Sequence, residues 1–169
     1  KHDDDSAAAY REATSEAVQT FSILQSREAY AYHKAWLDPY RERYDPKVWS
    51  RIDRGRHWSG DRVAAAEQTC ERIRLFWKDL FLEWDAVALP ATREVAPRPE
   101  DLTNELRDGL LGLTTPVSIG GHPALSIPVD AGRGDGLTVG LQVVGEKEHP
   151  DVFDWVLKRV HKSNTASGT

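Results

Sequence analysis

The sequence predicts an α/β fold, and three observations carry that reading. Ala86–Pro90 and Ala124–Val129 are short runs, apolar almost throughout, as buried strands are. A third strand, Leu137–Val144, follows a glycine-rich turn at Gly132–Gly136. Long segments on either side of the first strand and after the third carry helical periodicity.

From Ser6 to about Leu37 there is neither Pro nor Gly, and the Ala-rich composition predicts helix, broken once. Asp38-Pro39 ends that run, and Tyr40–Trp58 supports only short helical pieces. Ser59 reads as an N-cap with Asp61 in the first turn. Val63, Ala66, Cys70, Ile73, Trp77, Leu80 and Trp84 then recur at three- and four-residue spacing, the stripe of a long amphipathic helix closed by Asp85. Pro97 and Pro99 mark a loop over residues 91–100. After the third strand, Pro150 starts a last helix whose apolar face is Val152, Phe153, Val156, Leu157 and Val160, and residues 162–169 read as a frayed tail.

The two strands apolar on both faces are expected at the centre of a sheet covered by helices on each side. Three strands leave two edges, and apolar edges are a hazard that proteins cover. The expectation is a sheet continued by another segment. The chain contains no Met, even at position 1, which fits a start inside a longer polypeptide.

Composition excludes several classes. Its 169 residues fit one domain, and 40% apolar with 29% charged residues is an ordinary globular balance. The net charge of −5 comes with scattered Lys and Arg, so no basic stripe for phosphate contacts exists and nucleic acid is not expected as a direct ligand. No apolar run reaches the ~20 residues that span a bilayer. The lone Cys70 makes no internal disulfide and reads as core. The expectation is therefore a soluble, cytoplasmic protein without a membrane partner.

The motifs support no chemistry on their own. None of the six histidines stands at metal-ligand spacing with another His, Cys or acid, so no metal is expected, and Gly132, Gly134 and Gly136 precede no helix, so a dinucleotide reading fails. His122, in Gly121-His122-Pro123, reads as a surface or packing residue rather than a catalytic one. No Gly-x-Ser-x-Gly elbow occurs, and Arg133-Gly134-Asp135 reads as turn chemistry.

Three segments, in order, do carry a resemblance. Val48-Trp49-Ser50-Arg51-Ile52-Asp53-Arg54-Gly55 precedes the long helix that ends in Trp84-Asp85-Ala86-Val87-Ala88-Leu89-Pro90-Ala91-Thr92. Thr114-Thr115-Pro116-Val117-Ser118-Ile119-Gly120-Gly121-His122-Pro123-Ala124-Leu125-Ser126-Ile127-Pro128-Val129 follows, and then Gly140-Leu141-Gln142-Val143-Val144-Gly145. Over residues 20–160 this resembles the C-terminal part of the amidase signature family. The middle segment is similar to the family's Thr-x-Pro-x-Asn-x-x-Gly-x-Pro-x-x-Ser-x-Pro run, with Ser118 where Asn is common.

The resemblance implies an α/β/α sandwich with a mixed sheet, incomplete without its N-terminal part, of which residues 1–169 are one C-terminal segment. It implies amide hydrolysis by a Ser, cis-Ser, Lys triad that lies in the N-terminal part, so no catalytic residue is expected in this chain, and no cofactor is expected either. It implies a role for this segment in walling the acyl pocket, through Arg51, Thr114 and Thr115. Arg51 matches an arginine that holds substrate in some members, and Thr114 and Thr115 are expected at a pocket-facing turn before a strand. Leu111 stands where glutamine-using members commonly carry an Asp that recognises the charged end of glutamine. The expected partners are the N-terminal part of the same enzyme and a small amide substrate, with homo-oligomerisation left open. Two other readings remain: the A subunit of a tRNA-dependent amidotransferase, or a non-catalytic domain on the same scaffold.

Overall fold

The computed structural model describes residues 4–166. Six α-helices and three strands follow one another as α1 (Asp4–Thr14), α2 (Ala17–His33), α3 (Pro46–Asp53), α4 (Gly60–Glu83), β1 (Ala86–Pro90), α5 (Asn104–Gly120), β2 (Ala124–Asp130), β3 (Thr138–Gly145) and α6 (Asp151–Ala166). The chain divides into two compact units, Lys1–Arg74 and Leu75–Thr169, with the division inside α4.

In the first unit the long N-terminal helix is broken once, as expected, at Ser15-Glu16. Between α2 and α4 the short pieces predicted for Tyr40–Trp58 are α3 and two single 3₁₀ turns, Arg41–Arg43 and Arg54–Arg56. Asp45 and Pro46 start α3 in the way their chemistry favours. The Asp45 carboxylate accepts from the backbone N–H groups of Lys47 at 2.9 Å and Val48 at 3.2 Å, and Pro46 occupies the first turn, where no N–H is needed. Ser59 caps α4 through its Oγ, which accepts from Arg62 N–H at 3.3 Å. The core of this unit is built from Ala17, Ile23, Leu37, Ile52, Ala66, Cys70 and Ile73. Cys70 is buried as expected, and burial pushes its thiol pKa up.

Gly55 fixes the closest approach in this unit. A Cβ there would lie 1.9 Å from the Ser26 carbonyl oxygen and 2.8 Å from Tyr30 Cβ, so only glycine lets the 3₁₀ turn Arg54–Arg56 lie against α2. Arg56 adds a forked pair to Asp38, at 2.7 and 3.0 Å, and a further ion pair to Asp53. The arginine beside Asp38 holds that carboxyl below its ordinary range.

In the second unit the strand order is β1-β3-β2 with both pairings antiparallel. Val144 stands opposite Val87 on one side and Ala124 on the other, and Gln142 stands opposite Leu89 and Ser126. Within this chain the two largely apolar runs flank the sheet and the third strand is central. Pro90 and Pro128, which have no N–H to donate, stand in the flanking strands. The burial agrees, because β3 is buried from Gln142 to Gly145 while β1 and β2 alternate between half-buried and exposed positions. The mixed sheet implied by the resemblance appears among the described residues only as antiparallel pairs. Gly132, Gly134 and Gly136 all have φ near +70°, and Asp130 and Asp135 accept from the backbone N–H groups of Gly132 and Leu137, so the β2–β3 connection is the tight turn expected.

Two helical segments differ from expectation. Residues 104–120 form α5, which begins at Thr103, whose Oγ1 accepts from Leu106 N–H at 3.2 Å, and ends at Gly121 with φ +71°. The tail expected from residue 162 remains helical to Ala166, and residues 167–169 lie outside the described residues.

Trp77 is the largest fully buried side chain, and its Nε1 donates to the Pro116 carbonyl at 3.0 Å. Truncation of Trp77→Ala is expected to destabilise the second unit by about 3–5 kcal/mol through the cavity it leaves. Trp77→Phe should cost less, about 1–3 kcal/mol, for the carbonyl left without its donor. Urea unfolding of both variants checks the order; equal and negligible costs would show that the indole is not a core element.

Candidate functional site

The site residues expected from the sequence fall in both units. In the first, α2 and α3 enclose a shallow groove of about 210 Å³ lined by Gln25, Ser26, Ala29, Val48, Arg51 and Ile52. Arg51 sits in the last turn of α3, and its Nε donates to the Lys47 carbonyl at 3.2 Å, which uses one of the five guanidinium N–H donors. Apart from Gln25, Ser26 and Arg51 the lining is apolar. Chemically, the groove offers a guanidinium fork and a carboxamide beside a hydrocarbon wall, suited to an oxygen acceptor on an otherwise apolar molecule.

In the second unit, Leu111, Thr114 and Thr115 lie on α5. The expected pocket-facing turn is therefore a helix, and Pro116 sits inside it. Helical geometry keeps the three residues together, because positions i, i+3 and i+4 share a face. Leu111 and Thr114 are half-buried and Thr115 is 3% exposed. The Thr114 carbonyl accepts from Ser118 Oγ at 3.2 Å, one turn further on.

Sequence reasoning passes over Gln142. It is 4% exposed on β3, and its Nε2 donates to the Leu113 carbonyl at 2.8 Å and to the Pro90 carbonyl at 3.1 Å. Both amide protons are thereby used, and the end of β1 is tied to the turn of α5 that carries Leu111 and Thr114. A polar residue in the middle of an apolar central strand is the available signal, since such a group is retained only with partners. Thr92 adds a second tie, accepting from Gly140 N–H at 3.2 Å. Gln25 and Ser26 have no such signal, because nothing in a uniformly helical sequence distinguishes one polar position from the next.

Of the two readings left open for His122, surface or packing, the structure shows packing. Its ring lies 4.8 Å from Phe81 and 5.5 Å from Trp77, and its Nδ1 is buried without a partner. Burial, and then the Lys147 ammonium, push its pKa below the ordinary value, against smaller opposing effects of Glu146 and a backbone hydrogen bond at Gly145. A depressed folded-state pKa means that the unfolded chain binds the proton more readily. The stability contributed by neutral His122 is then complete above about pH 6.5, the ordinary imidazole value, and is lost as pH falls from there through the folded-state pKa. Unfolding free energies between pH 7.5 and 5 should fall more steeply for the native chain than for His122→Phe; parallel curves would remove His122 from the cause.

Among the described residues, no group of three or more His, Cys, Asp or Glu side chains could hold a metal ion, and no helix is long and apolar enough to cross a membrane.

Comparison with known proteins places this architecture. The profile of the Amidase family matches residues 2–150, and the chain belongs to that family. The A subunit of the glutamyl-tRNA(Gln) amidotransferase of Clostridium botulinum (strain Eklund 17B / Type B) is 37% identical over 71 residues, covering 41% of this chain and 14% of that protein. A crystal structure of an amidase aligns with a TM-score of 0.68 and 27% identity over 79% of this chain and 32% of the other. A bacterial aryl acylamidase of the amidase signature enzymes shares the fold at a TM-score of 0.58 and 19% identity, over 79% of this chain and 31% of its own. The chain thus spans about a third of the solved structures it matches, which makes it a partial amidase-signature fold.

Proposed function

We propose that this chain is the C-terminal segment of an amide hydrolase that acts on linear C–N bonds, and that it walls the acyl pocket and completes the sheet while the reacting groups lie upstream. The carrying observation is the family match over residues 2–150, joined to a fold that aligns with only 32% of a solved amidase. In the chemistry the family implies, an upstream Lys acts through a bridging Ser to activate a nucleophilic Ser, and backbone amides hold the oxyanion. Exposed apolar side chains in the second unit support this reading: Val129 on β2, Leu137 before β3 and Trp155 on α6 suit a surface that further chain covers.

The roles proposed within this segment are for binding. Arg51 contacts a substrate oxygen from its groove in the first unit; in the second unit Leu111 and Thr114 offer a half-buried face of α5 for binding, and Thr115, buried one position on, supports that face from within. Assayed alone on aryl and alkyl amides, the 169-residue chain should show no turnover, and mass spectrometry of the native sample should reveal the upstream part. Turnover abolished by a mutation within these residues would defeat the assignment. In the full-length enzyme, Arg51→Ala should lower kcat/KM by roughly 10- to 150-fold, the loss of about 1.5–3 kcal/mol for a charge-assisted hydrogen bond. A sharp fall in Tm with kcat/KM unchanged per folded molecule would instead make Arg51 a structural residue.

A second reading, the A subunit of a tRNA-dependent amidotransferase, is favoured by the 71-residue match to the Clostridium protein. Leu111 speaks against it. A leucine offers no acceptor to an ammonium group, and leaving that charge unpaired beside apolar surface costs several kcal/mol. Glutamine is therefore expected to be a poor substrate beside neutral aliphatic and aromatic amides, and Leu111→Asp should weaken apolar amides more than amines bearing a positive charge. Efficient hydrolysis of glutamine would refute the argument from Leu111.

A further inference from the structure

The groove that holds Arg51 lies between two helices, and its width depends on what fixes their separation. Three contacts on successive turns of α2 bear on it. The 3₁₀ turn that continues α3 lies against the Ser26 carbonyl, at a distance that tolerates no Cβ on Gly55. Trp58 Nε1 donates to Ser26 Oγ at 2.9 Å, and that hydroxyl in turn donates to the Ser22 carbonyl at 2.7 Å. Arg54 Nη1 donates to Ser22 Oγ at 3.3 Å. Ser26 is thus shared: it lines the groove, and it is the point at which the chain beyond α3 is fastened to α2.

The fastening is directional. Ser26 is 7% exposed, so a hydroxyl left without the indole would remain where water does not readily replace it. Nothing links Trp58 to Arg51 directly; the connection runs through Gly55 and the last turn of α3. A change at Trp58 therefore moves Arg51 by moving α3, and would be felt by a substrate that Arg51 holds.

We infer that Gly55, Ser26 and Trp58 form a lock that sets the width of the Arg51 groove, which makes Trp58 and Gly55 positioning residues for substrate selection. This rests on the proposed substrate role of Arg51. Ala29 and Val48 line the same groove as Arg51, so a groove held narrow by the lock would favour linear acyl chains over branched ones.

The test is a double-mutant cycle in the full-length enzyme, with linear and branched aliphatic amides as substrates. Gly55→Ala carries the risk of not folding, so Trp58→Phe, which keeps the ring and removes the donor, is the primary variant. Trp58→Phe should raise KM for linear amides about 2- to 10-fold, a partial loss of the Arg51 contact, with kcat within about twofold and reduced discrimination against branched chains. In the Arg51→Ala background it should change KM no further, because both changes act on one contact. If Arg51→Ala raises KM while Trp58→Phe leaves it unchanged, or if the two effects simply add, the lock is overturned and the role of Arg51 stands. If Arg51→Ala itself leaves KM unchanged in folded enzyme, the proposed role of Arg51 fails and the lock falls with it.

Discussion

The second unit depends on the side-chain amide of Gln142. From the one strand that pairs on both sides, it reaches the end of β1 and a turn of α5, donating both protons to backbone carbonyls. Pro116 makes the tie valuable, because a proline inside a helix removes one backbone donor and disturbs the turn that precedes it. Trp77 completes the support from α4 by donating to the Pro116 carbonyl itself. An irregular helix end is thereby held by two side-chain donors, and the face carrying Leu111, Thr114 and Thr115 inherits its position from them.

The first unit solves a related problem with glycine. Arg51 stands on a helix of only eight residues, too short to hold its own place by propensity. Asp45 and Pro46 fix the start of this helix, and contact at Gly55 together with the ion pairs of Arg56 fixes the 3₁₀ turn at its end. The ion pairs are partly exposed, so added salt weakens them. The backbone contact at Gly55 is different, since it is steric and salt does not weaken it.

Much of the architecture is legible in the sequence because periodicity and punctuation agree. The stripe from Val63 to Trp84, the break before Asp38-Pro39 and the three glycines of the β2–β3 turn each give one local answer. Sheet order is not set by apolarity alone: the two apolar runs flank the sheet of this chain, and each carries a proline, Pro90 and Pro128. Helix α5 is hidden because Gly109, Gly112 and Pro116 depress helix propensity, and packing of Trp77 on the Pro116 turn overrides them. Arg51, Leu111, Thr114 and Thr115 are reached through resemblance, and the structure gives two of their surroundings, a groove and a helix face. The contacts that hold those surroundings, at Ser26, Trp58 and Gln142, join positions 29 to 52 residues apart and have no local sequence signature.

The central claim is that the reacting groups lie outside residues 1–169 while this segment shapes what they act upon. A serine-directed fluorophosphonate, applied to the full-length protein and mapped by peptide mass spectrometry, addresses it directly. The claim predicts one stoichiometric adduct, on a serine upstream of Lys1, with Ser22, Ser26, Ser118 and Ser126 unmodified. A stoichiometric adduct on any serine within these 169 residues, with loss of activity, would contradict it.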